Sequence, residues 1–195
     1  MAGNTDLEDR EDMARLQAGH DAALNAIMQR HGERLFHYLL RQLSNETDAG
    51  DLAQEAFVRV YHHRARFDSA QKFSTWLYAI ATNLLRDRLR WHQRHPEVSL
   101  DAESDETGPM LDCVPDRAPP ASDHLAAEER AREVQAAVHA LPEELRTPLI
   151  LSEYEGMSHA EIGAVLSCTA KAVETRMYRA RNQLRKRLAG LMAPS

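Results

Sequence analysis

Three groups of residues in this chain have side chains whose types and spacing suit holding a nucleic acid or a protein surface better than breaking a bond. In KFSTWLYAIATNLLRDRLR, residues 72–90, Trp76, Asn83, Asp87 and Arg90 recur at i, i+7, i+11 and i+14, so they share one edge of a helix. A neutral amide such as Asn83 can pair with a base edge, whereas Arg86, Arg88, Arg90 and Arg94, opposed only by Asp87, suit phosphates. An exposed base needs stacking surfaces and amide partners more than it needs charge. Trp76 itself reads as core rather than as a DNA contact.

The second group lies between 169 and 188, where seven bases face one acid, Glu174. Lys171, Glu174, Thr175 and Tyr178 fall in the first turns, where a helix entering the major groove meets base edges. The later arginines are placed for phosphates. A solvated basic helix on an ordinary bundle would show the same charge. The third group is in DLAQEAFVRVYHH, residues 51–63. Asp51, Glu55 and Val58 make one face with Gln54 alongside, while Leu52, Ala56 and Val60 make another. An acidic, amide-bearing face containing an apolar residue suits a protein partner, although a plain solvated face has the same pattern.

The elements that must position these groups are helices. From Met13 to Arg94 the hydrophobic pattern is helical and lacks strand alternation, with breaks at 44–49 and 67–71 that divide it into three helices. Phe73, Leu77, Ile80 and Leu84 form the core stripe of the third. Residues 96–127 concentrate Pro, Gly, Ser and acids and read as an extended, self-repelling linker. A last helical block runs from about His124 to Leu191, punctuated by Pro142, Pro148 and the EGMS stretch.

Within that block Ser158 and Glu161 have the spacing of a capping box, and Ile162, Val165 and Leu166 share one face of the helix it opens. Thr169 can cap a second helix whose buried stripe is Val173, Met177 and Leu184. A short helix, a tight turn and a longer basic helix make a helix-turn-helix over 158–187. The turn lacks the glycine that many such motifs use. The fold class is therefore all-α: two small helical domains, 13–95 and 128–190, joined by an acidic linker, 96–127.

Composition narrows the function. The chain is 43 % hydrophobic and 28 % charged, as soluble globular proteins are. Its net charge of −6 argues against nucleic acid only until its distribution is considered. Residues 1–12 carry a net −4 and residues 96–127 a net −7, which leaves +5 for the rest. No apolar run is long enough to span a bilayer, so no membrane insertion is expected. The acidic first twelve residues are unlike a signal peptide. Cys113 and Cys168 read as spare thiols in a reduced, cytoplasmic setting. His62 and His63 diverge around a helix, and no H-x-x-x-H or C-x-x-C pair occurs. Neither a metal nor another cofactor is expected. With no nucleophile elbow or phosphate loop, an enzyme is not expected either.

DLAQEAF, then FSTWLYAIATNLLRDRLR, the linker, and LPEELRTPLILSEYEGMSHAEIGAVLSCTAKAVETRMYRARNQLRKRL resemble, in order, the extracytoplasmic-function subgroup of the bacterial sigma-70 family. The resemblance spans nearly the whole chain apart from the acidic N-terminal tail and the linker. It implies a promoter-specificity subunit whose partners are core RNA polymerase, promoter DNA and an anti-sigma factor. Asp51, Leu52, Gln54, Glu55 and Val58 would dock on the clamp helices of the polymerase's largest subunit. Lys72, Asn83, Arg86 and Arg90 would meet the −10 element. Lys171, Glu174, Thr175, Arg176, Tyr178 and Arg179 would meet the −35 element. The acidic linker would thread basic channels of the polymerase. Housekeeping members carry adjacent aromatics one turn after the position of Trp76, where this chain has Ala79 and Ile80, implying weaker strand separation and stricter promoter choice. A stand-alone dimeric helix-turn-helix repressor would explain the C-terminal block alone.

Overall fold

The computed structural model describes residues 2–95 and 121–189, and every regular element among them is helical. The N-terminal body comprises α1 (Ala2–Gln17), α2 (Ala23–Leu43), α3 (Glu46–His63) and α4 (Phe73–Arg94), with a 3₁₀ turn at Arg64–Arg66. The C-terminal body comprises α5 (Ala121–His139), α6 (Glu143–Glu153), α7 (His159–Leu166) and α8 (Ala170–Arg187).

The acidic N-terminus belongs to the first domain, which therefore begins well before Met13. Asp9, Asp12, Met13 and Leu16 lie on one face of α1 and are all buried. Buried carboxylates need partners. Asp9 accepts from Arg30 Nε at 3.0 Å and bonds His31 Nε2 at 2.8 Å; Asp12 accepts from Arg30 Nη2 at 2.7 Å. Gln17 fixes the far end of α1 by donating to the carbonyls of Arg64 and Phe67.

Ser44 ends α2 in a left-handed conformation (φ 55°), and Asn45 caps α3 by accepting from the Asp48 N–H at 2.9 Å. On α4, Phe73, Leu77 and Leu84 are buried and Ile80 packs against the core at half-burial. Tyr38 of α2 and Thr82 of α4 share a buried hydrogen bond of 2.8 Å. Trp76 packs its ring against Phe67 and Phe73, which makes it a core residue at the edge of the bundle.

Two boundaries differ from those expected. Residues 121–127, read above as linker, begin α5; the rest of that stretch, including Cys113, lies outside the described residues. Pro148 does not punctuate the chain but sits inside α6, buried with Leu149, Ile150 and Leu151. It forgoes one helical hydrogen bond, to the carbonyl of Glu144, an exposed residue that solvent can reach.

Candidate polymerase and promoter interfaces

Local sequence builds the helix-turn-helix. Ser158 Oγ accepts from the Glu161 N–H, and the Glu161 carboxylate accepts from the Ser158 N–H at 2.8 Å, completing the capping box that starts α7. The turn works without a glycine of its own because Ser167 adopts the left-handed conformation (φ 53°). The glycine it does need lies earlier: a Cβ on Gly163 would stand 2.6 Å from the Cys168 carbonyl oxygen. Thr169 then caps α8 by accepting from the Ala172 N–H at 3.1 Å. Val173, Met177 and Ala180 are buried, with Leu184 packed against them.

That burial turns the other face of α8 outward. Tyr178 is 69 % exposed, and Lys171, Glu174, Thr175 and Arg179 are exposed too. Lys171 and Glu174 pair at 2.8 Å, and this hydrogen bond and charge hold the Glu174 carboxyl below its ordinary value. Thr175 Oγ1 donates to the Lys171 carbonyl, leaving its acceptor capacity outward. Arg176 is half-buried, reaching Cys168 Sγ at 3.6 Å. Arg181 is tied to Glu153 of α6 at 2.9 Å.

In the N-terminal body, α3 and α4 leave an open groove between them. Asp51, Glu55 and Asp87 supply acids along it, Arg59 and Arg88 bases, and Leu52, Leu84 and Trp91 apolar surface. Leu52 is buried and so forms floor rather than rim, while Asp51, Gln54 and Val58 are exposed. Glu55 pairs with Arg59 at 3.0 Å, and Arg88 with Asp48 at 2.8 Å.

Asn83 is exposed on α4, flanked by buried Thr82 and Leu84. Arg90 pairs loosely with Asp87 at 3.4 Å. The other two residues expected near Asn83 are engaged elsewhere: Lys72 Nζ lies 2.8 Å from Glu161 Oε1, and Arg86 Nε 3.1 Å from Glu143 Oε1. Both partners belong to the C-terminal body. Sequence reasoning read Glu161 only as a cap and passed over Glu143 and Glu155, because only the fold brings these carboxylates to α4. Among the described residues no group of three or more His, Cys, Asp or Glu is placed to hold a metal ion, and no helix is long and apolar enough to cross a membrane.

Residues 27–95 match the family model of sigma-70 region 2, and residues 131–184 that of sigma-70 region 4. The chain is 36 % identical over 179 residues to the ECF RNA polymerase sigma factor SigW of Bacillus subtilis, covering 90 % of this chain and 94 % of that one. It is 32 % identical over 194 residues to the RNA polymerase sigma-H factor of Pseudomonas aeruginosa, covering 96 % and 97 %. Among solved structures it is similar to CnrH in complex with the cytosolic domain of CnrY. There the TM-score is 0.69 at 29 % identity, over 94 % of this chain and 98 % of that one. A repressor with an unrelated dimer-forming domain is not supported, because region 2 occupies the place where that domain would be. With both regions present and such relatives over nearly its whole length, the chain belongs to the sigma-70 family, in its extracytoplasmic-function group.

Proposed function

We propose that this chain binds core RNA polymerase and directs it to promoters bearing one particular pair of −10 and −35 elements. The observation that carries the reading is that one chain joins two differently built exposed faces. One is the amide Asn83 on α4, beside the mixed groove between α3 and α4; the other is the basic, outward face of α8, N-capped by Thr169. On this reading Asp51, Gln54, Glu55 and Val58 contact the polymerase over the floor made by Leu52. Lys72, Asn83, Arg86 and Arg90 meet the −10 element. Lys171, Glu174, Thr175, Arg176, Tyr178 and Arg179 meet the −35 element. The protein works in the cytoplasm, forms and breaks no covalent bond itself, and is restrained by an anti-sigma factor. A relative held by the cytosolic domain of another protein supports that last point.

Two measurements test the reading. Asp51→Arg places a cation on the groove rim at a residue that the core does not use. It should weaken capture of core polymerase while leaving the circular dichroism unchanged; full-strength capture would move docking elsewhere. Gel shifts of promoter DNA should require core polymerase, and a shift of equal strength by the chain alone would favour a free-standing DNA binder.

A further inference from the structure

Helix α1 ends against the bend where α3 gives way to α4. Its last turn is closed by Gly19, whose left-handed conformation (φ 92°) lets two N–H groups reach back into the helix. The Gly19 N–H bonds the Leu16 carbonyl at 3.2 Å, and the His20 N–H bonds the Arg15 carbonyl at 3.0 Å. Met13 and Leu16 anchor the same turns in the core, while Asp9 and Asp12 tie the earlier ones to Arg30 and His31. The backbone of Gln17 is therefore held on both sides, and its side chain is exposed.

That side chain directs both hydrogens of its amide at one bend of the chain. Gln17 Nε2 donates to the Arg64 carbonyl at 2.8 Å and to the Phe67 carbonyl at 3.2 Å. The two carbonyls bracket the 3₁₀ turn, which the Phe67 N–H closes on the Arg64 carbonyl at 3.2 Å. The turn is braced from α3 and α4 as well. Arg64 lies over the Tyr61 ring, 4.3 Å from its centre, and donates to the Tyr61 carbonyl at 2.7 Å. Phe67 is buried with its ring against Phe73 and Trp76, in the first turn of α4. Beyond it the Asp68 carboxylate accepts from the Ala70 N–H at 2.9 Å, and its carbonyl from the Gln71 N–H at 3.1 Å. Lys72 follows directly.

We infer that Gln17 is a positioning residue for the −10 site: it touches no DNA, but its amide fixes the connection 64–72 and, through Phe67, the start of α4. The inference rests on the function proposed above, which assigns Lys72 and Asn83 of this segment to −10 DNA. Apart from Phe67 and Phe73, residues 65–73 bury little, and Arg66, Asp68, Ser69 and Ala70 are exposed. Packing alone therefore leaves such a connection several conformations, and a strand of DNA that had to select one would meet the entropy cost on binding. A single amide holding both ends of the turn removes that cost in advance. It does so from α1, a helix distant in sequence from the residues it serves.

Gln17→Met tests this in the full chain, because methionine keeps the length of the side chain but donates nothing. The site is exposed, so circular dichroism, capture of core polymerase and binding of −35 duplex should be unchanged. Amide hydrogen exchange, read by NMR, should quicken at Phe67, Ala70 and Gln71 by about two- to tenfold, the size of one net hydrogen bond. Exchange in α8 should not move. Holoenzyme selecting from promoters randomised at −10 should then discriminate less sharply, by a similar factor, with its −35 preference intact. A merely structural tie would not change which −10 sequences are chosen. Unchanged exchange at all three amides would overturn the inference, and so would quickened exchange with wild-type −10 discrimination. Quickened exchange where even the unaltered chain shows no −10 preference would uphold the clamp and overturn the proposed function instead.

Discussion

Arg86 donates to Glu143 across the seam between the two bodies, Nε to Oε1 at 3.1 Å, linking the helix that carries Asn83 to the first turn of α6. The same carboxylate accepts from Thr147 Oγ1 at 3.2 Å, and Thr147 in turn holds the buried Gln42. Glu143 is therefore a node between α4 and the buried polar network, and both charged side chains are mostly covered, 24 % and 28 % exposed. A double-mutant cycle of Arg86→Met and Glu143→Gln, read by urea unfolding, should give a coupling of about 0.5–1.5 kcal/mol. Simple additivity would mean that the pair contributes nothing to holding the bodies together.

Gly163 has a single tight neighbour. Its missing Cβ makes room for the Cys168 carbonyl oxygen, a backbone atom that cannot swing aside as a side chain could. Gly163→Ala should lower stability by about 1–3 kcal/mol as the turn between α7 and α8 is forced open. Thermal melting checks the loss, and binding of −35 duplex should weaken with it. A wild-type melting curve would mean that the turn relaxes without cost.

Acid should act on the seam through Glu161. Partial burial pushes this carboxyl up, but hydrogen bonds from Lys72 and from the Ser158 hydroxyl and N–H, with the Lys72 charge, outweigh burial and hold it at about 2. The hydrogen bond from Glu161, then its charge, raises Lys72 above its ordinary value. A depressed carboxyl stabilises the fold above its unfolded value and loses that effect as pH falls through its folded value. The contribution of Glu161 should therefore be intact above pH 4.5, the ordinary value, and fade towards pH 2. The raised Lys72 places the matching loss on the alkaline side, above its ordinary 10.5. Carboxyl-carbon NMR shifts of Glu161 read this directly, and a midpoint at the ordinary value would contradict the Lys72 contact.

On α8, residues at the start and end of the exposed face should behave differently. Glu174→Ala removes an acceptor and frees Lys171, so the preferred −35 sequence should change, with about 1–3 kcal/mol lost on the original site. Arg181→Ala should weaken all sequences alike and flatten the salt dependence. That flattening should be small, because Glu153 already shares the Arg181 charge. Binding selections at two salt concentrations separate the cases, and an unaltered preference for Glu174→Ala would place base reading elsewhere on the helix.

What the sequence disclosed was local. Ser158 and Glu161 stand three residues apart, so their mutual cap is written in the spacing, as is the cap from Thr169. The exposure of Asn83 followed from the apolar stripe beside it, since Phe73, Leu77 and Leu84 had to face inward. Nonlocal pairing was hidden. Asp9 and Asp12 read only as part of an acidic tail because their partners Arg30 and His31 lie on the next helix. The spacing of Asp9, Asp12, Met13 and Leu16 on one face was the available clue. Glu161 was legible as a cap but not as the partner of Lys72, which is supplied by the other body. Pro148 looked like a break because proline usually is one.

If this chain gives core polymerase its promoters and Asn83 reads the −10 element, both should show in the transcripts it starts. Transcription in vitro by purified core polymerase on a genomic library, with start sites sequenced, tests both in one experiment. Starts should cluster downstream of one shared −10 and −35 pair, only when the chain is present. Asn83→Ala should fold normally yet lower their yield about five- to a hundredfold, as expected for a lost base contact of about 1–3 kcal/mol. Starts that do not depend on the chain would contradict the account outright, and wild-type yields from Asn83→Ala would reduce α4 to scaffold.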